Sequence, residues 1–86
     1  QIDKILQDRI RDKWLKAGVT MISPETTFID DTVELGQDVV LEPGVILKGK
    51  TVIPEGVLVG AYSYLSDYTA QSNAHIVPHS VKGRIN

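Results

Sequence analysis

Aliphatic side chains recur at every sixth position from residue 29 onward, and this period limits the possible folds more than any other feature of the sequence. The positions that share it are Ile29, Leu35, Leu41, Leu47, Ile53, Val59 and Leu65. With about a quarter of positions aliphatic, chance would produce such a run roughly once in ten thousand trials for a given phase. The run therefore indicates an internal structural repeat of six residues.

The remaining positions of each hexad also follow a rule. Four residues after each aliphatic residue comes a small or β-branched one, namely Val33, Val39, Val45, Thr51, Val57, Ser63 and Thr69. Turn-forming and polar residues lie between them, including glycines at positions 36, 44, 49, 56 and 60. The pattern predicts one short strand and one tight turn per hexad, with the aliphatic side chain pointing inward and the smaller residue filling a corner.

Three hexads would make one triangular coil, and we expect coils over residues 29–46, 47–64 and 65–82. The pattern weakens in the last coil, where Gln71 takes an aliphatic position and His75 a small-residue position, before Val77 and Val81 restore the phase. A β-sandwich is the alternative, but its strands would alternate with a period of two and turn every 8–12 residues. The predicted fold is mostly β, a parallel β-helix of about three coils.

The residues before the repeat have the apolar spacing of one N-terminal α-helix. Apolar side chains three and four positions apart form a single stripe, made of Ile2, Ile5, Leu6, Ile10, Trp14 and Leu15. Gly18 follows the last turn, where a left-handed residue commonly ends a helix. A helix of about 15 residues is marginal alone, so we expect its stripe to pack against another part of the fold.

Two runs of sequence resemble one enzyme family. Residues 9–30, RIRDKWLKAGVTMISPETTFID, are similar to the junction of helix and β-helix in the bifunctional N-acetylglucosamine-1-phosphate uridyltransferases and glucosamine-1-phosphate acetyltransferases. In that junction an Arg-Ile helix leads into Gly-Val-Thr, an Asp-Pro-x-Thr-Thr-like turn and Ile-Asp, and Ser23 stands here where Asp is usual. Residues 39–53, VVLEPGVILKGKTVI, are similar to the family's first complete coil. After Leu65 only the general repeat is visible.

The resemblance implies how the chain divides. Residues 1–18 would be a linker helix, and residues 19–86 the opening coils of a left-handed β-helix acetyltransferase domain. The chain starts with Gln1 and is short, so we expect a fragment of a longer enzyme. Two alternatives stay open: a fragment of another hexapeptide-repeat acyltransferase, and a non-catalytic trimerisation module.

The resemblance also implies a function for the parent protein. Such enzymes are cytoplasmic and make UDP-N-acetylglucosamine for the bacterial cell wall. They acetylate glucosamine-1-phosphate with acetyl-CoA, then transfer UMP from UTP to N-acetylglucosamine-1-phosphate with magnesium. They are homotrimers, and we expect a homotrimer here, because a few coils with open ends form only a marginal monomer.

Composition excludes several kinds of partner and chemistry. The net charge of −2 leaves no electrostatic footprint for nucleic acid or for an anionic membrane. No apolar run approaches the roughly 20 residues that a membrane-spanning helix needs. The chain contains no cysteine, which excludes disulfides, thiolate catalysis and Cys-ligated zinc.

We predict no catalytic, cofactor-binding or metal-binding residue in this chain. The sequence lacks the family's Gly-rich Leu-Ala-Ala-Gly-x-Gly-Thr-Arg-Met-like phosphate loop and its His-x-Gly-Asn-Phe-Val-Glu stretch. His75 and His79 could act as a general base or as zinc ligands between subunits. They fall at different positions of successive hexads and have no third His beside them, so the favoured interpretation is a pair of surface or corner residues.

Other polar and aromatic residues have simpler structural interpretations. Asp30 and Asp31 could bind a cation, but adjacent acids at the start of a coil are more often solvated turn residues. The glycines at 49, 56 and 60 lack the Lys-Ser/Thr and helix of a phosphate loop, so we interpret them as turn glycines.

The remaining candidates are aromatic and basic residues. We expect the aromatic group on a flat solenoid wall to pack against a neighbouring subunit; it consists of Tyr62, Tyr64 and Tyr68. The basic residues show no arrangement that resembles a sugar-phosphate clamp; they are Lys48, Lys50, Lys82 and Arg84.

Overall fold

Short strands follow one another around a triangular prism in the computed structural model, which describes residues 2–83. Helix α1 spans Ile2–Lys16, and a 3-10 turn spans Pro24–Thr26. The strands are β1 (Thr20–Met21), β2 (Phe28–Ile29), β3 (Glu34–Leu35), β4 (Val40–Leu41), β5 (Ile46–Lys48), β6 (Val52–Ile53), β7 (Leu58–Val59), β8 (Tyr64–Ser66), β9 (His75–Ile76) and β10 (Val81–Gly83).

The strands form three parallel sheets, one on each side of the prism. Their orders are β1-β4-β7-β9, β2-β5-β8-β10 and β3-β6, and an isolated bridge between Val52 and Thr69 extends the third sheet. Phe28 pairs with Ile46, and Ile46 pairs with Tyr64, so the two regular coils take 18 residues each at this side. This confirms the predicted parallel β-helix built from hexads, three to a coil.

The prism is filled by the residues that the six-residue period selects. All seven aliphatic positions from residue 29 to residue 65 are buried. The smaller residues of the hexads are buried as well from Val33 through Ser63, and they fill the corners as predicted. Three inward rows continue from coil to coil, and they run Ile29–Leu47–Leu65, Leu35–Ile53 and Met21–Leu41–Val59–Ile76.

The β-helix begins before residue 29, the position from which the six-residue period was counted. β1 pairs with β4, Val19 and Met21 are buried in the same core, and the described residues make about four turns rather than three. Thr20 pairs with Val40, a step of 20 residues. The first coil is longer because the Pro24–Thr26 turn lies between its first two strands, and this insertion hid the first side of the prism from a strict six-residue count.

The last coil is shorter by one residue, and the predicted phase there is wrong. Val59 pairs with Ile76, a step of 17 residues. The shortening lies in the turn after β8: Asp67 donates its backbone N–H to the Lys48 carbonyl, while the Tyr68 carbonyl already accepts from Val52. Val52 follows Leu47 by five residues, whereas its partner Thr69 follows Leu65, the partner of Leu47, by only four.

Every later side chain therefore moves by one position. Ala70 and Ile76 are the buried residues of this coil, whereas Gln71 and His75, which were predicted to point inward, are exposed. Val77 and Val81 are both 59% exposed, so they do not restore the core as predicted. Thr69 is also exposed.

Helix α1 ends at Lys16, and Gly18 follows with a φ of +102°, as the sequence predicts. Ile10 is buried and Trp14 packs against the core. The side chains of Ile2 and Ile5 lie outside the part that the structure describes. Leu6 and Leu15 are 43% and 42% exposed, and Gln7 is the buried polar residue among the described side chains of the helix. The contact face is thus rotated from the apolar stripe towards Gln7, because that residue meets the open edge of β2.

Candidate functional site

The two histidines lie on different parts of the last coil. His75 is on β9, where it pairs with Leu58 and is exposed. His79 is in the following turn, also exposed, with a φ of +63°. The ring of His79 stacks on Tyr62 at 5.5 Å between centroids, with 11° between the ring planes. Each histidine therefore has its own surface environment.

The His79 stack belongs to a column of left-handed turn residues. Gly44, Tyr62 and His79 occupy the same turn position in successive coils, with φ values of +77°, +60° and +63°. A Cβ added to Gly44 would lie 2.4 Å from the Tyr62 ring, so the ring covers the backbone of the turn below it. The column is an exposed stack at one corner of the prism, because Tyr62 and His79 are both exposed.

The other two tyrosines occupy separate places. Tyr64 lies on β8 in register with Ile46 and Val81, so it belongs to the outer face of the β2-β5-β8-β10 sheet. Tyr68 is half-buried against the core, and the Lys82 Nζ lies 5.9 Å from its ring centroid. The structure does not gather the three tyrosines into one cluster.

The carboxylates near the turns bind backbone amides. Asp30 Oδ2 accepts from Gly49 N at 2.8 Å, Asp67 Oδ1 accepts from Lys50 N at 2.8 Å, and Glu42 Oε1 accepts from Ala61 N at 3.0 Å. Asp31 is exposed. Among the side chains that the structure describes, those of residues 6–83, His, Asp and Glu do not assemble in groups of three that could hold a metal ion. The acids present therefore fit turn stabilisation better than the magnesium of a nucleotidyl-transfer site.

The basic residues are dispersed along one side of the prism. Lys48 Nζ lies 5.7 Å from the Phe28 ring centroid, and Lys50 is exposed in the turn beyond it. Arg84 lies outside the described residues. A groove of about 710 Å³ between α1 and β3 is lined by charges of both signs, Lys13 and Lys50 opposite Asp31 and Glu34. Such mixed charge does not fit the cationic clamp that a sugar phosphate or the phosphates of acetyl-CoA and UTP need.

The glycines predicted to form turns do so. Gly49 and Gly56 have φ values of +66° and +74°, a conformation that glycine adopts more readily than other residues. Gly60 is buried, and a Cβ there would lie 2.4 Å from the Pro78 backbone nitrogen. Close approach between coils, and not ligand binding, explains Gly60.

Two polar side chains of α1, Gln7 and Arg11, bind the β-helix in a way that the sequence pattern did not predict. Gln7 Nε2 donates to the Ile29 carbonyl at 2.8 Å, Ile29 N donates to Gln7 Oε1 at 3.0 Å, and Arg11 Nη1 donates to the Thr27 carbonyl at 3.0 Å. Gln7 and Arg11 are four residues apart on one helix face. That spacing, together with Ile10 and Trp14 on the same side, could have indicated the buried face of the helix. The prediction followed the more hydrophobic Leu6 and Leu15 instead.

No family model matches the chain. In the part of the chain that the structure describes, the helix is too short and too polar to cross a membrane.

Curated relatives match most of the chain. It is 43% identical over 81 residues to the bifunctional protein GlmU of Thermus thermophilus, covering 94% of this chain and 18% of that protein. It is 51% identical over 65 residues to the bifunctional protein GlmU of Tropheryma whipplei, covering 76% of this chain and 11% of that protein. It is 52% identical over 62 residues to the bifunctional protein GlmU of Levilactobacillus brevis, covering 72% of this chain and 14% of that protein.

The chain spans less than a fifth of the length of these relatives. Within that span it has the helix, the junction and the hexad coils that the resemblance predicted. Another hexapeptide-repeat acyltransferase or a free-standing trimerisation module is not favoured by relatives that share one name. The chain belongs to the family of the bifunctional protein GlmU.

Proposed function

We propose that this chain is the linker helix and the opening coils of a bifunctional enzyme that makes UDP-N-acetylglucosamine, with residues 1–18 as the linker and residues 19–86 as the coils. Its role is to connect and to support, while the reactions take place elsewhere in the enzyme. The observation that carries the proposal is how its polar side chains are used. The Asp30, Glu42 and Asp67 carboxylates and the Thr51 and Ser63 hydroxyls all bind backbone groups of turns.

The parent enzyme would use acetyl-CoA to acetylate glucosamine-1-phosphate, and UTP with magnesium to uridylylate N-acetylglucosamine-1-phosphate. These activities come from the family, and the residues of this chain do not fit those ligands. Acetyl transfer needs a base and groups that stabilise developing charge close to each other. Here His79, in the turn after β9, stacks on Tyr62, while His75 lies on β9 and pairs with Leu58. A cytoplasmic location is part of the same proposal.

The outer surface supports the proposed homotrimer. One row on the β2-β5-β8-β10 sheet consists of Phe28, Ile46, Tyr64 and Val81, which are paired in register. The corresponding row on the β1-β4-β7-β9 sheet begins with Thr20 and ends with His75, and is more polar. A continuous row of aromatic and aliphatic side chains is the surface most suited to burial between subunits.

The activity assay uses the purified 86-residue chain beside its full-length parent. Thiol release from acetyl-CoA with glucosamine-1-phosphate, and pyrophosphate release from UTP with N-acetylglucosamine-1-phosphate, should both stay at background for the chain and be rapid for the parent. Turnover by the chain that disappears in His75→Ala or His79→Ala would contradict the proposal and would make that histidine a catalytic residue.

Sedimentation tests the assembly separately. The 9.5 kDa chain should sediment as a trimer at micromolar concentration. Ile46→Lys should dissociate it, because the charge would be buried in the interface, whereas Leu58→Lys on the β1-β4-β7-β9 sheet should leave it assembled. A stable, folded monomer of the unsubstituted chain would count against the trimer.

A further inference from the structure

The first coil leaves one edge of β2 without a strand beneath it. In a parallel sheet each strand bonds to the coil below as well as to the coil above. β5, one coil higher, has its downward bonds complete. Its Val45 carbonyl accepts from Phe28 N at 3.0 Å, and its Leu47 carbonyl accepts from Asp30 N at 2.9 Å. The equivalent carbonyls of the first coil, one coil below, belong to Thr27 and Ile29.

Side chains of α1 make the bonds that a lower strand would make. Arg11 Nη1 donates to the Thr27 carbonyl at 3.0 Å, and Gln7 Nε2 donates to the Ile29 carbonyl at 2.8 Å. Gln7 also accepts from Ile29 N through its Oε1 at 3.0 Å. The Gln7 amide has the same donor and acceptor as a peptide group, so it takes the place of one residue of a missing strand.

The Gln7 contact is buried, and the neighbouring Arg11 is itself oriented by an ion pair. Gln7 is buried although it is polar, and its two bonds satisfy both ends of its amide. Arg11 is oriented by its second nitrogen, which lies 2.6 Å from the Asp8 carboxylate. A buried amide that loses its partners is costly, so this contact discriminates strongly against any other placement of the helix. Packing of Ile10 and Trp14 alone would tolerate sliding, because apolar contacts are non-directional.

We infer that Gln7 is the positioning residue that fixes the direction of α1 on the β-helix, by acting as a one-residue substitute for a strand below β2. If the proposed function is right, the same side chain sets the angle at which the linker leaves the acetyltransferase domain. The inference about Gln7 itself rests only on the contact with Ile29.

The test uses the full 86-residue chain with three matched variants. Gln7→Met keeps the length of the side chain and removes both bonds, Gln7→Glu keeps only the acceptor, and Gln71→Met changes an exposed glutamine of the last coil. Amide exchange is followed at Ile29 and, as an internal reference, at Asp30, whose N–H donates to Leu47 instead. The absence of native cysteine allows spin labels at Arg9→Cys and Glu55→Cys to report the direction of the helix.

The inference requires two results together. In Gln7→Met, exchange at Ile29 should rise about tenfold while exchange at Asp30 stays unchanged, and the single narrow distance between the labels should be lost. Gln71→Met should match the original chain in both measurements. If exchange at Ile29 rises and the distance distribution stays narrow, apolar packing positions the helix and the inference is wrong.

Gln7→Glu decides the matter if Gln7→Met fails to fold. The acceptor for the Ile29 N–H is kept, but the second carboxylate oxygen faces the Ile29 carbonyl oxygen and repels it. Exchange at Ile29 should therefore rise less than in Gln7→Met, and the distance distribution should broaden. Exchange and distances equal to those of the original chain would overturn the inference. Neither measurement depends on activity, so the result stands whether or not the parent enzyme carries the proposed reactions.

Discussion

Leu47 lies in the middle of the interior row that begins with Ile29 and continues to Leu65, and it is 0% exposed. Leu47→Ala removes three carbon atoms from this position, which at about 0.8 kcal/mol each amounts to roughly 2.4 kcal/mol. The coils above and below are held by parallel pairing, so they cannot collapse to fill the space. The cavity adds to the transfer term, and we expect a total loss of about 3–4 kcal/mol in the free energy of unfolding.

Urea denaturation followed by circular dichroism measures this loss. With a slope of about 1–1.5 kcal/mol per molar urea for a small domain, the midpoint should fall by about 2–4 M. Leu58→Ala is the matched control, because it makes the same change at a strand position that points outward and is half-buried. Its cost should be about 1 kcal/mol. If the two variants lose equal stability at the same oligomeric state, the interior assignment of Leu47 is refuted.

Three further substitutions test the turns and the helix by the same denaturation assay. Thr51→Val keeps the shape of a fully buried side chain but removes its hydroxyl bond to a turn carbonyl, and should cost about 1–2 kcal/mol. Gly36→Ala would place a Cβ 2.5 Å from the Glu55 backbone nitrogen, so we expect a loss of about 1–3 kcal/mol; an unchanged midpoint would show that the coils can separate there. Asp12→Ala breaks an exposed ion pair with Lys16 and should change stability by less than about 0.5 kcal/mol.

The interior of the regular coils could be predicted from sequence because each hexad contains its own turn. A strand of two or three residues and a tight turn return the chain to the same orientation after six residues. The inward position is therefore fixed locally, from Ile29 to Leu65, without knowledge of distant contacts. Turn glycines could be predicted in the same way, as for Gly49. Asp30, which was expected to be a solvated turn residue, is partly buried and accepts a hydrogen bond from the Gly49 N–H of the next coil.

The last coil could not be predicted in the same way. A turn one residue shorter after β8 changes which side chains face inward, and both phases offer aliphatic residues: Ile76 in one and Val77 in the other. Sequence periodicity does not choose between them. The choice is made by backbone pairing with the coil below, where Leu58 and Val59 already have a fixed register.

The sequence by itself determined the helix, the hexad coils and the family, because these depend on local spacing and on motifs read along the chain. Tertiary structure alone decided which face of the helix is buried. Leu6 and Leu15 are more hydrophobic than Gln7, yet the open edge of β2 presents a donor and an acceptor that must be satisfied. Only the placement of that edge beside α1 makes a buried glutamine more favourable than a buried leucine.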